Sequence, residues 1–183
     1  MERKDVLLAI ESNIENTSTV KHMLATEAIM GALAQCFGED ADEWGLTGLL
    51  HDIDVELTED DPKSHGMLGA DMARDLGADD KVAKAILCHN EIHGIPCKTL
   101  MEKALYCSDP LTGLITASVM VQSDRKIAGL SVNSLKKRFK EKRFASGADR
   151  ERIALCSEIN LGLDEFLSIG LEAMQSVADK LEL

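Results

Sequence analysis

Aromatic residues are nearly missing from this chain: one Trp, one Tyr and four Phe among 183 positions. Strands draw on aromatic and β-branched side chains, so a sheet-rich fold has little to build from. Proline is also scarce, at three residues, which leaves few enforced breaks in helices. No segment of strand length alternates strictly between apolar and polar positions. The five cysteines, Cys36, Cys88, Cys97, Cys107 and Cys156, include no Cys-x-x-Cys pair, and their odd, scattered set is a poor disulfide framework. Most sit in apolar helical patterns as small hydrophobes, which points to a reducing compartment. No run approaches the roughly 20 apolar residues of a membrane span, and no long apolar stretch follows the N-terminus as in a signal peptide. A cytoplasmic protein with no membrane partner is expected.

Positive charge is in short supply too, with 20 Lys and Arg against 32 Asp and Glu and a net charge of −12. Phosphate backbones reward clustered cations, so nucleic acid is not an expected partner. An acidic chain that handles phosphates needs local compensation, and a bound divalent cation supplies it. The one basic stretch is Lys136-Lys137-Arg138-Phe139-Lys140-Glu141-Lys142-Arg143. With Val132, Leu135 and Phe139 at helical spacing it reads as an amphipathic helix. Its cations are either solvated or lean over a site to hold a phosphorylated substrate.

What remains is rich in helix formers, 45% hydrophobic and 28% charged. A chain of this length suits one domain with a sizeable core. Apolar spacing predicts helices over about 3–12, 17–37, 41–51, 64–76, 79–90, 99–121 (bent at Pro110), 131–143, 149–159 and 164–181. Thr17, Ser18 or Thr19 should cap the second, and Gly38 should close it. An irregular acidic loop is expected from Ile53 to Pro62. The expected fold is a single all-α domain of about nine helices, with a metal-binding core over 18–122 and a C-terminal helical subdomain over 123–183.

All five histidines fall between His22 and His93. Imidazole and carboxylate groups together suit zinc, iron, manganese or nickel. His51 and Asp52 are adjacent and diverge by about 100° on a helix, yet both can face one cation lying beyond the helix end. His22, from the preceding helix, and Asp109, just before Pro110, complete four ligands and leave one or two positions for water or substrate. His65 and His89 can hold a second ion bridged by Asp52. His93 shares a face with His89 only if the helix persists past Glu91, which Gly94 opposes; otherwise it is a turn residue facing solvent. Asp54 is either a solvated loop carboxylate or an acceptor for a ligand histidine. Asn90 and Glu91 are candidate substrate contacts, Lys103 is more readily a surface residue than a phosphate contact, and Trp44 belongs to the core.

The residues Lys21-His22, Gly48-Leu49-Leu50-His51-Asp52-Ile53, Ser64-His65-Gly66 and Ser108-Asp109 resemble the HD-domain superfamily of metal-dependent phosphohydrolases, over about residues 18–122. The resemblance implies an HD-domain helical bundle with a C-terminal helical extension. It implies that His22, His51, Asp52 and Asp109 ligate a metal, and that His65 and His89 bind a second metal or contact the substrate phosphate. The implied cofactor is one or two divalent ions, with Fe, Mn, Ni, Co, Zn and Mg all open. The implied reaction is hydrolysis of a small phosphate ester, a nucleotide among the candidates, with Asp52, His65 and His89 catalytic. Asp54 departs from the pattern, since many of these hydrolases carry Gly there. An extra carboxylate removes a cationic helper and is expected to repel anionic substrates, cyclic dinucleotides above all. Two other activities stay open: a di-iron HD-type oxygenase, and a metal-binding or signalling module without turnover. Oligomeric state is also open.

Overall fold

Short polar side chains take up free backbone N–H groups at the helix starts, and left-handed residues close several of the ends. The computed structural model describes residues 1–183 and holds ten α-helices and no strand. They are α1 (Arg3–Asn13), α2 (Thr17–Phe37), α3 (Ala41–Leu50), α4 (Met67–Asp75), α5 (Asp80–His89), α6 (Leu100–Met120), α7 (Val132–Lys140), α8 (Arg150–Ala154), α9 (Leu163–Ser176) and α10 (Ala178–Leu181). The fold is all-α, as its composition predicts.

Asn16 caps α2 by accepting from Ser18 N at 2.9 Å, in place of the three hydroxyl residues that follow it. Asp40, Asp79 and Asp149 do the same for α3, α5 and α8, each accepting from two backbone N–H groups. Thr99 and Glu102 form a reciprocal capping box on α6. Each cap stabilises its helix by about 1 kcal/mol. Gly38, at φ +71°, closes α2 in the left-handed conformation.

Four boundaries differ from expectation. The helix expected over 131–143 ends at Lys140. The helix expected from residue 64 begins at Met67, because Gly66 sits at φ +82° and breaks the helical path ahead of it. The helix expected over 149–159 is α-helical only to Ala154 and ends as a 3-10 turn, Leu155–Ile159. The last expected helix divides at Val177 into α9 and α10, giving ten rather than nine. The acidic segment after α3 is a run of turns that buries Ile53, Asp54 and Thr58, so it is more ordered than a loop.

The two 21-residue helices, α2 and α6, form the axis of one connected apolar core that runs from Val6 to Leu181. α3 and α9 pack on α2, while α5 and α8 pack on α6. Trp44 is 2% exposed and lies against Phe37, so it is a core residue. All five cysteines are free thiols; Cys88, Cys107 and Cys156 are buried. α7 buries Leu135, and two of its four cations pair locally: Lys136 with Asp164, and Arg138 with Glu141 while stacking on Phe144. No helix is long and apolar enough to cross a membrane.

Candidate metal centre

His22 projects from the second turn of α2, and His51 and Asp52 lie just past the end of α3, where the chain leaves the helix through turns. Asp109 comes from α6, His65 from the turn before α4, and His89 is the last residue of α5. Five chain segments therefore meet at one place. His22 Nε2 lies 3.0 Å from His51 Nε2, 3.4 Å from Asp52 Oδ2 and 3.3 Å from Asp109 Oδ1. His51 Nε2 is 3.4 Å from the same Asp52 oxygen. On the other side, Asp52 Oδ1 lies 3.5 Å from His65 Nε2 and 3.3 Å from His89 Nε2, and those two nitrogens are 3.1 Å apart. Asp52 thus turns one oxygen to each half of the cluster.

The outer nitrogens decide what the inner ones can do. His51 Nδ1 donates to Gly48 O at 2.8 Å and His89 Nδ1 to Ile86 O at 2.5 Å, since a carbonyl can only accept. His65 Nδ1 donates to Asp54 Oδ1 at 2.9 Å. Thr112 gives its own proton to Asp109 O, so it accepts from His22 Nδ1 at 2.7 Å. Each neutral ring therefore carries its proton on Nδ1 and turns a bare Nε2 lone pair inward. Four lone pairs and two carboxylates then face one another with no donor among them. That donor set fits a cation, and outer partners of this kind hold ligand histidines in their binding tautomer. The clusters His22, His51, Asp52 and Asp52, His65, His89 each have ligand atoms within 4.8 Å of one another.

Stripped of metal, the cluster must borrow a proton. Burial alone would lower the His22 pKa, but hydrogen bonds and charge from Asp109 and Asp52 outweigh it and raise it from 6.5 to about 10. Burial and the neighbouring His22 charge push His51 down to about 4, although Asp52 and Asp109 pull the other way. Burial acts to raise the Asp52 and Asp109 pKa values; the surrounding histidines overcome it and hold both well below the usual carboxylate range. At pH 7.5 metal-free His22 is thus protonated, and an entering cation must displace that proton. Against the effect of burial, Asp52 also raises the His89 pKa. Metal binding is therefore expected to release at least one proton, and apparent affinity to rise at least about tenfold per pH unit between pH 7 and 9. The slope should flatten near pH 10, where the proton is already gone. Calorimetry in buffers of different ionisation heat measures the release, and zero release at pH 7.5 would refute it.

Asp54 is fully buried and accepts from Gly66 N and Gly69 N, both at 2.7 Å, as well as from His65. It is not a loop carboxylate turned toward the substrate, so the expected repulsion of anions has no structural basis. Its charge is absorbed by the start of α4 and by the ring it orients, and Gly69 leaves only 3.1 Å between a built Cβ and that carboxylate. Asp54→Asn is expected to cost about 1–3 kcal/mol, because one acceptor becomes a donor facing N–H groups. It should also weaken cation binding about 10–100-fold on the His65 side. Thermal denaturation and metal titration measure the two effects; unchanged affinity would show that Asp54 has no hold on the site.

Other candidates sit elsewhere. His93 Nε2 donates to His65 O at 2.8 Å, and Asn90 donates to His65 O and Pro62 O, so both brace the His65 turn from outside. α5 ends at His89, so His93 does not share its face. Glu91 lies near the Tyr106 hydroxyl, and Lys103 pairs with Glu158. The cleft beside Asp109 is lined by Ala145, Gly147 and Ala148, from the segment just after the basic stretch.

Two residues beside the ligands were not anticipated. Thr112 follows Asp109 by one helical turn, a spacing that marks it as a neighbour. Arg152, whose Nη2 donates to Asp109 Oδ2 at 2.9 Å, lies 43 positions away and carries no local signal.

A family model described as HD domain matches residues 19–125. The chain is 28% identical over 96 residues to a protein named Ribonuclease Y from Oleidesulfovibrio alaskensis, covering 52% of this chain and 18% of that one. To proteins of the same name it is 31% identical over 96 residues in Salinispora arenicola, covering 52% of this chain and 16% of that one. In Pelobacter propionicus the figure is 34% over 71 residues, covering 39% and 14%. The chain spans less than a fifth of the length of these relatives. No solved structure matches it.

Proposed function

The chain belongs to the HD domain family of metal-dependent phosphohydrolases, and from that premise we propose that it hydrolyses a small phosphate ester of nucleotide size. The observation that carries the reading is the convergence of four Nε2 lone pairs and two carboxylates, with Asp52 reaching both halves. His22, His51, Asp52 and Asp109 would hold one divalent cation, and Asp52, His65 and His89 a second. Such a cation supplies charge neutralisation at the phosphoryl oxygens and a water that is nucleophilic near neutral pH.

The protein's own groups do the rest. Asp52 keeps the two halves at a fixed spacing and orients the attacking water. His65, about one-fifth exposed, is the most accessible ring after His22. With Asp54 fixing its Nδ1–H, its Nε2 either takes the second cation or, once protonated, donates to the leaving oxygen of the phosphate. Adjoining clefts of about 310 and 390 Å³ share His22, Thr112 and Gly113 and leave room for the organic part of the ester. The apolar lining of the larger one, with Ala25, Ala117, Met120 and Met174, suits an uncharged leaving group.

The relatives' name, Ribonuclease Y, makes an RNA phosphodiester the second substrate class to test. The net charge of −12 and the few aromatic side chains favour the small ester. The test is elemental analysis of protein purified without chelator, followed by hydrolysis assays with phosphate monoesters, diesters, nucleotides and a short RNA across divalent metals. Cleavage of a monoester or nucleotide that vanishes in Asp52→Asn is the expected result. Tight metal binding with no ester cleaved would instead indicate a module without turnover, and iron-dependent oxygen consumption would indicate an oxygenase.

A further inference from the structure

Pro110 sits inside α6, where it offers no N–H to the carbonyl of Tyr106 four residues earlier. That carbonyl is not idle: Arg152 Nε donates to it at 3.2 Å. The same guanidinium lies 4.2 Å from the Tyr106 ring centroid, and its Nη2 reaches Asp109 Oδ2 at 2.9 Å and His89 O at 3.3 Å. His89 closes α5, so its carbonyl has no partner within the helix. The Arg152 backbone is pinned as well, its N–H donating to the Asp149 cap at 3.1 Å.

We propose that Arg152 is a positioning residue that ties Asp109 to the end of α5, and that Pro110 supplies the free carbonyl on which it hangs. Asp109 uses Oδ1 toward His22. With Oδ2 taken by the guanidinium, the carboxylate cannot swing round to chelate with both oxygens, so one oxygen at a set angle is left for a cation. The grip on His89 O holds the other half of the centre at its distance from Asp109. A planar fork with several donors can do this; a lysine ammonium, a single compact charge, cannot reproduce the geometry.

The inference rests on the metal-centre reading above, but its readout is cation affinity rather than turnover. Manganese or cobalt affinity is measured by calorimetry on the full chain, together with the thermal midpoint of the metal-free protein, for wild type, Arg152→Gln, Arg152→Lys and Pro110→Ala. Arg152→Gln should weaken binding about 10–100-fold, and Arg152→Lys should recover only a small part. Pro110→Ala is the sharper case, because it restores the helical N–H that competes for Tyr106 O. It should raise the midpoint of the metal-free protein while lowering cation affinity. Wild-type affinity in a folded Arg152→Gln, or affinity unchanged or raised in Pro110→Ala, would overturn the proposal. Should Arg152→Gln fail to fold, Pro110→Ala decides alone. Wild-type protein that binds no cation would sink the metal-centre reading itself, a result distinct from equal affinities across the series.

Discussion

Asp52→Asn is expected to abolish metal loading on both sides of the centre while the helical fold persists. Asn keeps the size and shape of the side chain, but it replaces one anionic oxygen with an NH₂ group. Whichever way the amide turns, one of the two halves meets a donor where a cation should sit. The other half keeps only a neutral carbonyl. Losing an outer partner of a ligand costs about 10–100-fold in affinity, so loss of the shared carboxylate should exceed about 100-fold, with hydrolysis falling to background. His65→Ala sets the scale: it touches only the Asp52 Oδ1 half and should leave one ion on His22, His51, Asp52 and Asp109. Elemental analysis distinguishes the two variants. Full metal content in Asp52→Asn would remove Asp52 from the ligand set.

Gly48→Ala should damage the site from a distance. A Cβ built on Gly48 lies 2.7 Å from Thr26 O and 2.9 Å from Thr26 C, and both are backbone atoms of α2 that cannot rotate away. α3 would have to move off α2. Overpacking of this kind costs about 1–3 kcal/mol, or about 2–12 °C in thermal midpoint for a chain of this size. Gly48 O also accepts from His51 Nδ1, and Thr26 Oγ1 bonds to His22 O, so the displaced contact lies directly behind two candidate ligands. Metal affinity should therefore fall along with stability. Thermal denaturation and calorimetry on the same sample check both, and a variant of wild-type midpoint would show that the two helices have slack. Gly48→Ala and Pro110→Ala thus make opposite demands: stability and affinity drop together in the first and part company in the second.

The basis for these expectations was unevenly legible in the chain. His22, His51, Asp52 and Asp109, with His65 and His89 between them, stand out because they are chemically distinctive, and all but His22 sit at helix ends or beside helix breakers. The structure brings all six together. Asp54 was visible as an oddity, but its direction was not: only the fold shows it pointing away from the cleft, into the first turns around α4. Gly48 was readable as part of a motif, yet nothing in one dimension says that its missing side chain is the contact between α2 and α3. Arg152 was invisible. Its role is set by a carbonyl that proline frees on another helix, and no periodicity links residues 106, 110 and 152.

Helix content, the approximate helix boundaries and the candidate ligands were determined by the sequence alone. Each depends on a residue and its near neighbours: apolar spacing, a capping oxygen, a left-handed glycine, a histidine beside an aspartate. The His51 and His89 tautomers follow locally, from carbonyls three residues back. The tautomers of His22 and His65, the use of both Asp52 oxygens and the recruitment of Asp54, Thr112 and Arg152 were decided only by the tertiary structure. These last depend on distances of about 3 Å between groups 11 to 90 positions apart, and their hydrogen-bond direction exists only once the packed helices have set both partners in place.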